Sequence, residues 1–218
     1  MKRALILVAA FACVSACSAP DDPIAQGKEL YDACLPCHGA GGEGTPAVGA
    51  PEIAGLPEWY IDAQVMKFRA AKRAYHFDDL AGLRMRPMAM SLANEDEVHT
   101  VAHYIASLPR PAHAPTLQGG NVEHGKQLFA VCVTCHAADG GGNQALNAPP
   151  IAGADDWYLV AQLGKFKNKV RGDGAVDPIG ATMQAMSMTL ANEQDMKDVV
   201  AYIKSLPVKS PAPPKGGT

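Results

Sequence analysis

Two short stretches of this chain combine residue types that can do chemistry, and the two stretches share one pattern. Residues 34–38 read CLPCH and residues 132–136 read CVTCH, with an offset of 98 positions. The chain has six cysteines. The pattern uses four of them, Cys34, Cys37, Cys132 and Cys135, and leaves Cys13 and Cys17 outside. A cysteine pair followed by a histidine suits a disulfide, a metal or a covalently attached cofactor, and one explanation has to serve both copies.

Three alternatives for these cysteines fit the chain poorly. A CxxC pair closes on itself under strain outside redox folds, and no β-strand pattern precedes the motifs as a thioredoxin-like site requires. A zinc site built from the two pairs leaves His38 and His136 without a role. Covalent c-type haem accounts for every residue: each cysteine forms a thioether with a haem vinyl group, and the histidine binds the iron on its proximal side. The sequence therefore predicts two haem c groups.

The repeat extends far beyond the haem motif. At the same offset, GKEL at residues 27–30 matches GKQL at residues 125–128, and MAMSLANE at residues 88–95 matches MSMTLANE at residues 186–193, without a gap. The chain therefore holds two copies of one domain.

The domain boundaries follow from the repeat and from local composition. The two copies occupy residues 24–108 and 121–207. Prolines and glycines in residues 109–120 predict an extended linker between them. Residues 208–218, rich in the same residue types, are expected to form a disordered tail.

The N-terminus has the composition of a targeting segment. Lys2 and Arg3 precede an apolar stretch that is too short to cross a bilayer, which needs about 20 residues. The small residues before Cys17 resemble the lipobox of bacterial lipoproteins. Residues 1–16 are then a signal peptide, Cys17 is acylated and residues 17–23 form a lipid-anchored segment. An ordinary signal peptide cut after Ala16 is the alternative. Both predict a periplasmic protein, and the membrane that holds the anchor stays open.

The apolar pattern within each copy is helical. The second helix of each copy has an i, i+4, i+7 spacing of apolar residues, at positions 61, 65 and 68 and at positions 159, 163 and 166. Asn94 and Asn192 precede the last apolar stripe and are followed three positions later by an acidic residue, as helix N-caps are. The predicted fold class is all-α, with two tandem domains of three to five helices around a covalent haem.

The order of these motifs resembles that of the class I cytochromes c, and the tandem arrangement resembles the dihaem cytochrome c4 type. The resemblance rests on CxxCH, PEIAG, WYIDAQVMKF and RPMAMSLANEDE, and it covers residues 24–207. The residue pattern places one methionine of each copy on a loop just before the capped last helix, from which a distal ligand reaches the iron. The resemblance implies that these ligands are Met88 and Met186. The remaining methionines of these segments are then structural: Met85, Met90, Met183 and Met188.

The resemblance also implies contacts around the haem. The carbonyl groups of Pro51 and Pro149 are expected to accept a hydrogen bond from the proximal imidazoles, which orients the ring and tunes its basicity. Gly27 and Gly125 are expected to let the first helix of each domain cross closely over the last.

Other residues suggest weaker roles. Trp59 and Trp157 recur at the offset, and each either donates its indole N–H to a haem propionate or packs in the core. Arg84 and Arg86 flank Met88 in the first copy only, and their positive charge alone favours a higher reduction potential for the first haem. A difference in haem burial is the alternative influence and can reverse that order. The histidines without a counterpart are expected at the surface: His76, His99, His103, His113 and His124.

Histidine and methionine on both irons leave no site for a small-molecule substrate, which favours electron transfer. The resemblance implies transfer from a quinol-oxidising complex or a dehydrogenase to a terminal reductase, with a haem-copper oxidase as the acceptor. The partners are then membrane respiratory complexes.

The net charge of −3 and pI near 6.1 disfavour nucleic-acid binding. The alternatives are a dihaem enzyme of peroxidase or thiosulfate-oxidising type, or a dedicated cytochrome subunit of a respiratory complex.

Overall fold

The computed structural model describes residues 22–208, and every regular element in that range is a helix. The first domain contains α1 (Pro23–Tyr31), α2 (Leu35–His38), α3 (Glu58–Arg69), α4 (Leu80–Ser91) and α5 (Glu95–Ser107). The second contains α6 (Val122–Phe129), α7 (Val133–His136), α8 (Asp156–Lys167), α9 (Pro178–Ser187) and α10 (Glu193–Ser205). The predicted fold class, two tandem all-α domains, is confirmed.

The first and last helices of each domain pack against each other through a glycine. A Cβ added to Gly27 would lie 2.5 Å from the Tyr104 Cβ, and one added to Gly125 would lie 3.1 Å from the Tyr202 Cβ. The aromatic ring of Tyr104 tilts against that of Tyr31, with the ring centroids 5.4 Å apart. The absence of a side chain thus brings the two helices into contact, as the sequence predicts.

The other predicted helical features also hold. Ile61, Val65 and Phe68 are all buried on one face of α3. The Asn94 side chain accepts a hydrogen bond from the Glu97 N–H at 2.9 Å, and Asn192 does the same for Asp195 at 3.0 Å. Each cap satisfies an N–H group that the first turn of a helix leaves without an intrahelical partner.

The segment between the domains is extended and is held by side chains on both sides. Arg110 donates to Glu52 of the first domain at 2.9 Å, and His113 donates to Asp155 of the second at 2.7 Å. Farther along, the Asp156 carboxylate accepts hydrogen bonds from the backbone N–H groups at positions 116 and 117. The linker therefore follows a fixed path across the domain boundary.

Two ion pairs join the domains directly and are related by the repeat. Lys67 of α3 pairs with Asp177, which caps α9, and Lys165 of α8 pairs with Asp79, which caps α4. Both carboxylates are almost fully buried. The two copies thus exchange equivalent contacts, as expected for a pseudo-twofold arrangement.

The predicted signal peptide, Cys17 and nearly all of the predicted tail lie outside the described residues. Among the helices of residues 22–208, none is both long enough and apolar enough to cross a bilayer.

Candidate haem sites

The histidine of each CxxCH motif is buried and makes the same hydrogen bond in both domains. His38 is the last residue of α2 and His136 the last residue of α7. The Nδ1 atom of His38 donates to the Pro51 carbonyl at 2.9 Å, and that of His136 donates to the Pro149 carbonyl at 2.9 Å. Both predicted proline contacts are therefore present.

This hydrogen bond determines what each imidazole can bind. A carbonyl oxygen only accepts, so Nδ1 carries the proton and the neutral ring has its lone pair on Nε2. Burial lowers the pKa of both histidines, which keeps the rings neutral near neutral pH. Each Nε2 atom is thus prepared to bind a metal.

A tight loop positions the accepting carbonyl in each domain. Gly44 has φ +83°, and a Cβ there would lie 2.6 Å from the Pro51 carbonyl carbon. Its N–H donates to the His38 carbonyl at 2.8 Å. Gly142 plays the same part beside Pro149 in the second domain. Only glycine combines this left-handed conformation with so close an approach of the backbone, so the loop holds the imidazole and its acceptor together.

The cysteines of the motifs are free of disulfides. Burial and the neighbouring cysteine raise the pKa of Cys34 to about 11, and the same causes act on Cys132. Cys34 lies directly before α2 and Cys37 lies within it, so three positions separate them along one helical turn and bring them to the same side. Two free thiols beside a ligating histidine fit the addition to two vinyl groups of one haem.

Buried donors without a protein partner also fit a haem. In the described range, the indole Nε1 of Trp157 is buried without a hydrogen-bond partner, and so are the Nε atoms of Arg73 and Arg171. Both guanidinium groups are largely buried and stack on phenylalanine rings at 4.2 and 4.6 Å. Buried donors and cations require acceptors. Haem propionates are carboxylates and therefore acceptors of this kind, so the orphaned indole N–H is compatible with the propionate contact that is one of the two expectations for Trp157. For Trp59 no such orphaned atom is found.

The methionines lie on helices, so the expected distal loop is wrong. Met88 lies inside α4 and Met186 in the last turn of α9. The helical period brings Met85 nearer than Met88 to the face of α4 that buries Gly82 and Ala89. Met85 packs against the apolar core of the first domain, whereas Met88 is 39% exposed. Met85 and Met88 thus lie one helical turn apart on α4, as Met183 and Met186 do on α9, and the sequence pattern alone does not distinguish the members of either pair.

The two methionine helices differ in their interior. Pro87 lies inside α4, where it removes one backbone hydrogen bond. The second copy has Ala185 at the equivalent position of α9. Arg69 donates to the Ala89 carbonyl at 2.9 Å and also to that of Leu92, which supports the C-terminal end of α4.

The remaining histidines were expected at the surface, and this holds for His99, whereas the other four are partly buried. Each lies near a carboxylate at the surface or at the domain boundary: His76 near Asp78, His99 near Asp62, His103 near Glu58, His113 near Asp155 and His124 near Asp198. None of them approaches a CxxCH motif through a contact of the described residues.

Comparison with known proteins agrees with the two haem sites described above. The cytochrome c family model matches residues 24–109 and 122–207. Cytochrome c-552 of Acidithiobacillus ferridurans is 30% identical over 212 residues, covering 93% of this chain and 85% of that protein. A thiosulfate dehydrogenase electron acceptor of Stutzerimonas stutzeri is 32% identical over 182 residues, covering 75% and 80%.

A solved structure extends the similarity to the arrangement of both domains. Cytochrome c4 of Acidithiobacillus ferrooxidans superposes with a TM-score of 0.66 at 26% identity, covering 81% of this chain and 99% of that one. The chain belongs to the cytochrome c family, as a dihaem cytochrome c4-like protein in which each of two tandem domains carries a covalently attached haem c.

Proposed function

We propose that this protein is an electron carrier in which both haem irons are closed by a histidine and a methionine. The observation that carries the proposal is the equivalence of the two sites. Each has a buried, neutral imidazole held by a proline carbonyl at 2.9 Å, and each has two methionines one turn apart on the helix before the last one, α4 or α9. A dihaem enzyme requires one iron specialised for substrate, whereas two matched low-spin sites suit a carrier.

The distal sulfur comes from α4 in the first domain and from α9 in the second. The family resemblance favours Met88 and Met186. The packing of Met85 against the apolar core favours Met85 as the distal ligand of the first iron. Met183 is the equivalent residue of the second domain. A methionine thioether raises the reduction potential relative to a second histidine, so either pair gives the same kind of carrier.

The test is the optical spectrum of the ferric holoprotein and of four single variants: Met85→Ala, Met88→Ala, Met183→Ala and Met186→Ala. The wild type is expected to show low-spin haem with the weak far-red band of a methionine sulfur bound to ferric iron. One variant in each domain is expected to lose about half of that band, since each domain contributes one of two ligands. The other two serve as matched controls, because they remove the same side chain one helical turn away.

The outcomes separate the alternatives. Loss of the band in Met88→Ala and Met186→Ala supports the ligands implied by the resemblance, and loss in Met85→Ala and Met183→Ala moves the ligand one turn along each helix. A high-spin wild type would overturn the carrier proposal and favour a dihaem enzyme with an open iron.

The carrier acts in the periplasm, held to a bacterial membrane by lipid on Cys17. Removal of residues 1–16 takes away Lys2 and Arg3 and changes the net charge from −3 to −5. Such a surface favours basic partners and a salt-sensitive encounter. A Cys17→Ala variant is expected to move from the membrane fraction to the soluble periplasm. A variant that stays membrane-bound would contradict the anchor.

The donor is a dehydrogenase or a quinol-oxidising complex, and the acceptor is a terminal reductase such as a haem-copper oxidase. The similarity to an electron acceptor of thiosulfate dehydrogenase supports a dehydrogenase donor. Stopped-flow reduction by a purified thiosulfate dehydrogenase and by a quinol-oxidising complex tests this assignment. The faster donor at physiological salt identifies the partner class. A stable complex in detergent extracts would instead indicate a dedicated subunit of a respiratory complex.

A further inference from the structure

One peptide group of the first domain connects its proximal histidine to a carboxylate of the second domain. The Pro51 carbonyl accepts the hydrogen bond from His38 Nδ1 at 2.9 Å. The N–H of the same peptide group belongs to Glu52 and donates to Asp155 Oδ2 at 2.9 Å. A chain of two hydrogen bonds therefore runs from a second-domain carboxylate to the first-domain imidazole.

The carboxylate at the start of this chain is firmly held. Asp155 is 5% exposed, and its other oxygen accepts from His113 Nδ1 at 2.7 Å. The Glu52 side chain pairs with Arg110 at 2.9 Å, and both groups are nearly fully buried. Asp155 therefore keeps its position between the linker and the first domain.

The second domain cannot make the equivalent contact. Its proximal carbonyl belongs to the peptide between Pro149 and Pro150, and proline has no N–H to donate. The position equivalent to Asp155 in the first domain is occupied by Pro57. This chain of two hydrogen bonds, called the relay below, exists because two positions of the repeat differ, whereas the proximal hydrogen bond joins the same two groups in both domains.

We propose that Asp155 is a positioning residue for the first haem: through the Pro51–Glu52 peptide it strengthens the proximal hydrogen bond and lowers the reduction potential of that haem relative to the second. The inference rests on the proposed electron-transfer function and specifies how the two haems become unequal. It also opposes the expectation from Arg84 and Arg86, whose charges favour a higher potential for the first haem.

The physical argument follows the polarisation of linked hydrogen bonds. A negative charge on the N–H side draws positive charge toward the peptide nitrogen and makes the carbonyl oxygen a stronger acceptor. The stronger acceptor pulls on the Nδ1 proton and makes Nε2 a more basic ligand. A more basic ligand stabilises the ferric iron, which carries one more positive charge than the ferrous iron. The first haem therefore becomes harder to reduce.

The test is the substitution Asp155→Asn in the full-length holoprotein, followed by a redox titration that resolves the two haems. The amide oxygen of Asn keeps an acceptor for the Glu52 N–H and removes the charge. The oxidation equilibrium of the first haem is expected to shift about tenfold toward the reduced form, which is 59 mV for a one-electron couple. The potential of the second haem is expected to stay within experimental error.

A matched substitution separates the relay from general electrostatics. Glu52→Gln removes an equal charge from the same buried cluster and leaves the Glu52 N–H bonded to Asp155. It is expected to shift the reduction potential of the first haem clearly less than Asp155→Asn does. An equal or larger shift would overturn the relay.

A measurement on the wild type does not depend on the folding of any variant. In proton NMR of the reduced protein, the Nδ1–H resonance of His38 is expected downfield of that of His136. Equal resonances would overturn the proposal. The ferric spectrum distinguishes failure of the relay from failure of the proposed carrier function. A low-spin spectrum, together with a reduction potential that Asp155→Asn leaves unchanged, rejects the relay alone. A high-spin spectrum rejects the carrier function.

Discussion

The Lys67 ammonium group of the first domain lies 2.9 Å from the Asp177 carboxylate of the second domain. The repeat provides the reciprocal pair, in which Lys165 of the second domain contacts Asp79 of the first at 2.6 Å. Each carboxylate also accepts a backbone N–H at the start of a methionine helix, from Gly82 or from Gly180. The domain interface and the helices that carry the candidate distal ligands are therefore held by the same two aspartates.

Asp79→Asn is expected to destabilise the protein by about 3 kcal/mol, because it leaves the largely buried Lys165 ammonium without its counter-charge. The amide still caps α4, so the loss reports the ion pair. Denaturant unfolding of the holoprotein measures it. Asp78→Asn is the control, since its side chain is 60% exposed, and it is expected to change stability by less than about 0.5 kcal/mol. Equal effects would remove the role assigned to the ion pair.

The same aspartate predicts a pH dependence. Burial alone raises the pKa of Asp79, but the hydrogen bond and charge of Lys165, together with the Gly82 N–H, outweigh it, and the pKa lies below its ordinary value. The ionised carboxylate therefore contributes stability that is present above its unfolded pKa of about 3.9 and is lost as the pH falls through the folded pKa. Unfolding between about pH 6 and pH 3 should show a smaller acid loss in Asp79→Asn than in the wild type. Parallel curves would contradict this assignment.

Gly125→Ala is expected to cost about 3 kcal/mol, because the added methyl group would overlap the Asp198 carbonyl and lie 3.1 Å from the Tyr202 Cβ. Gly164→Ala is the matched control within α8, where a Cβ has no neighbour within 4 Å. That change is expected to stabilise the helix by up to about 1 kcal/mol. Thermal unfolding of both variants checks the difference in sign, and two destabilised variants would show that the glycine crossing is not the cause.

Ala137→Gly is expected to stabilise the second domain by about 1 kcal/mol. Ala137 directly follows α7 as its C-cap, with φ 63° and ψ 161°, a conformation that is strained for a residue with a Cβ. The first domain has Gly39 at the equivalent position, with φ 81°. Thermal unfolding measures the gain, and Gly39→Ala should give the opposite sign. A neutral Ala137→Gly would mean that the local backbone relaxes without cost.

Asp156→Ala is expected to loosen the linker. Its carboxylate accepts hydrogen bonds from the Thr116 N–H and hydroxyl and from the Leu117 N–H at 2.5 to 2.8 Å, and these bonds outweigh burial and hold the pKa of Asp156 below its ordinary value. Without them the segment opens locally more often. Limited proteolysis should cut residues 109–120 faster in Asp156→Ala than in the exposed control Glu123→Ala. Equal cutting rates would place the constraint elsewhere.

The distal ligand shows where a sequence pattern stops being informative. The methionines and the capped last helix are visible in the sequence, and their spacing predicted that the ligand lies on a loop. The structure instead continues α4 through Pro87 to Ser91. Proline usually ends a helix, and here α4 is supported by the Asp79 cap and by Arg69 near its last carbonyl groups. The Asp79 cap is local, but the Arg69 contact joins residues 20 positions apart, and no local pattern predicts its effect.

The sequence by itself determined the features whose atoms lie close together along the chain. The thioether cysteines and the proximal histidine of each motif fall within five residues, and the helix caps span three positions. The repeat shows that the domain occurs twice. Only the tertiary structure decided which residues of one copy contact the other. The Glu52–Asp155 hydrogen bond and the Lys67–Asp177 ion pair join residues 103 and 110 positions apart. Such contacts depend on how two complete domains pack, and that packing follows from many distant contacts acting together.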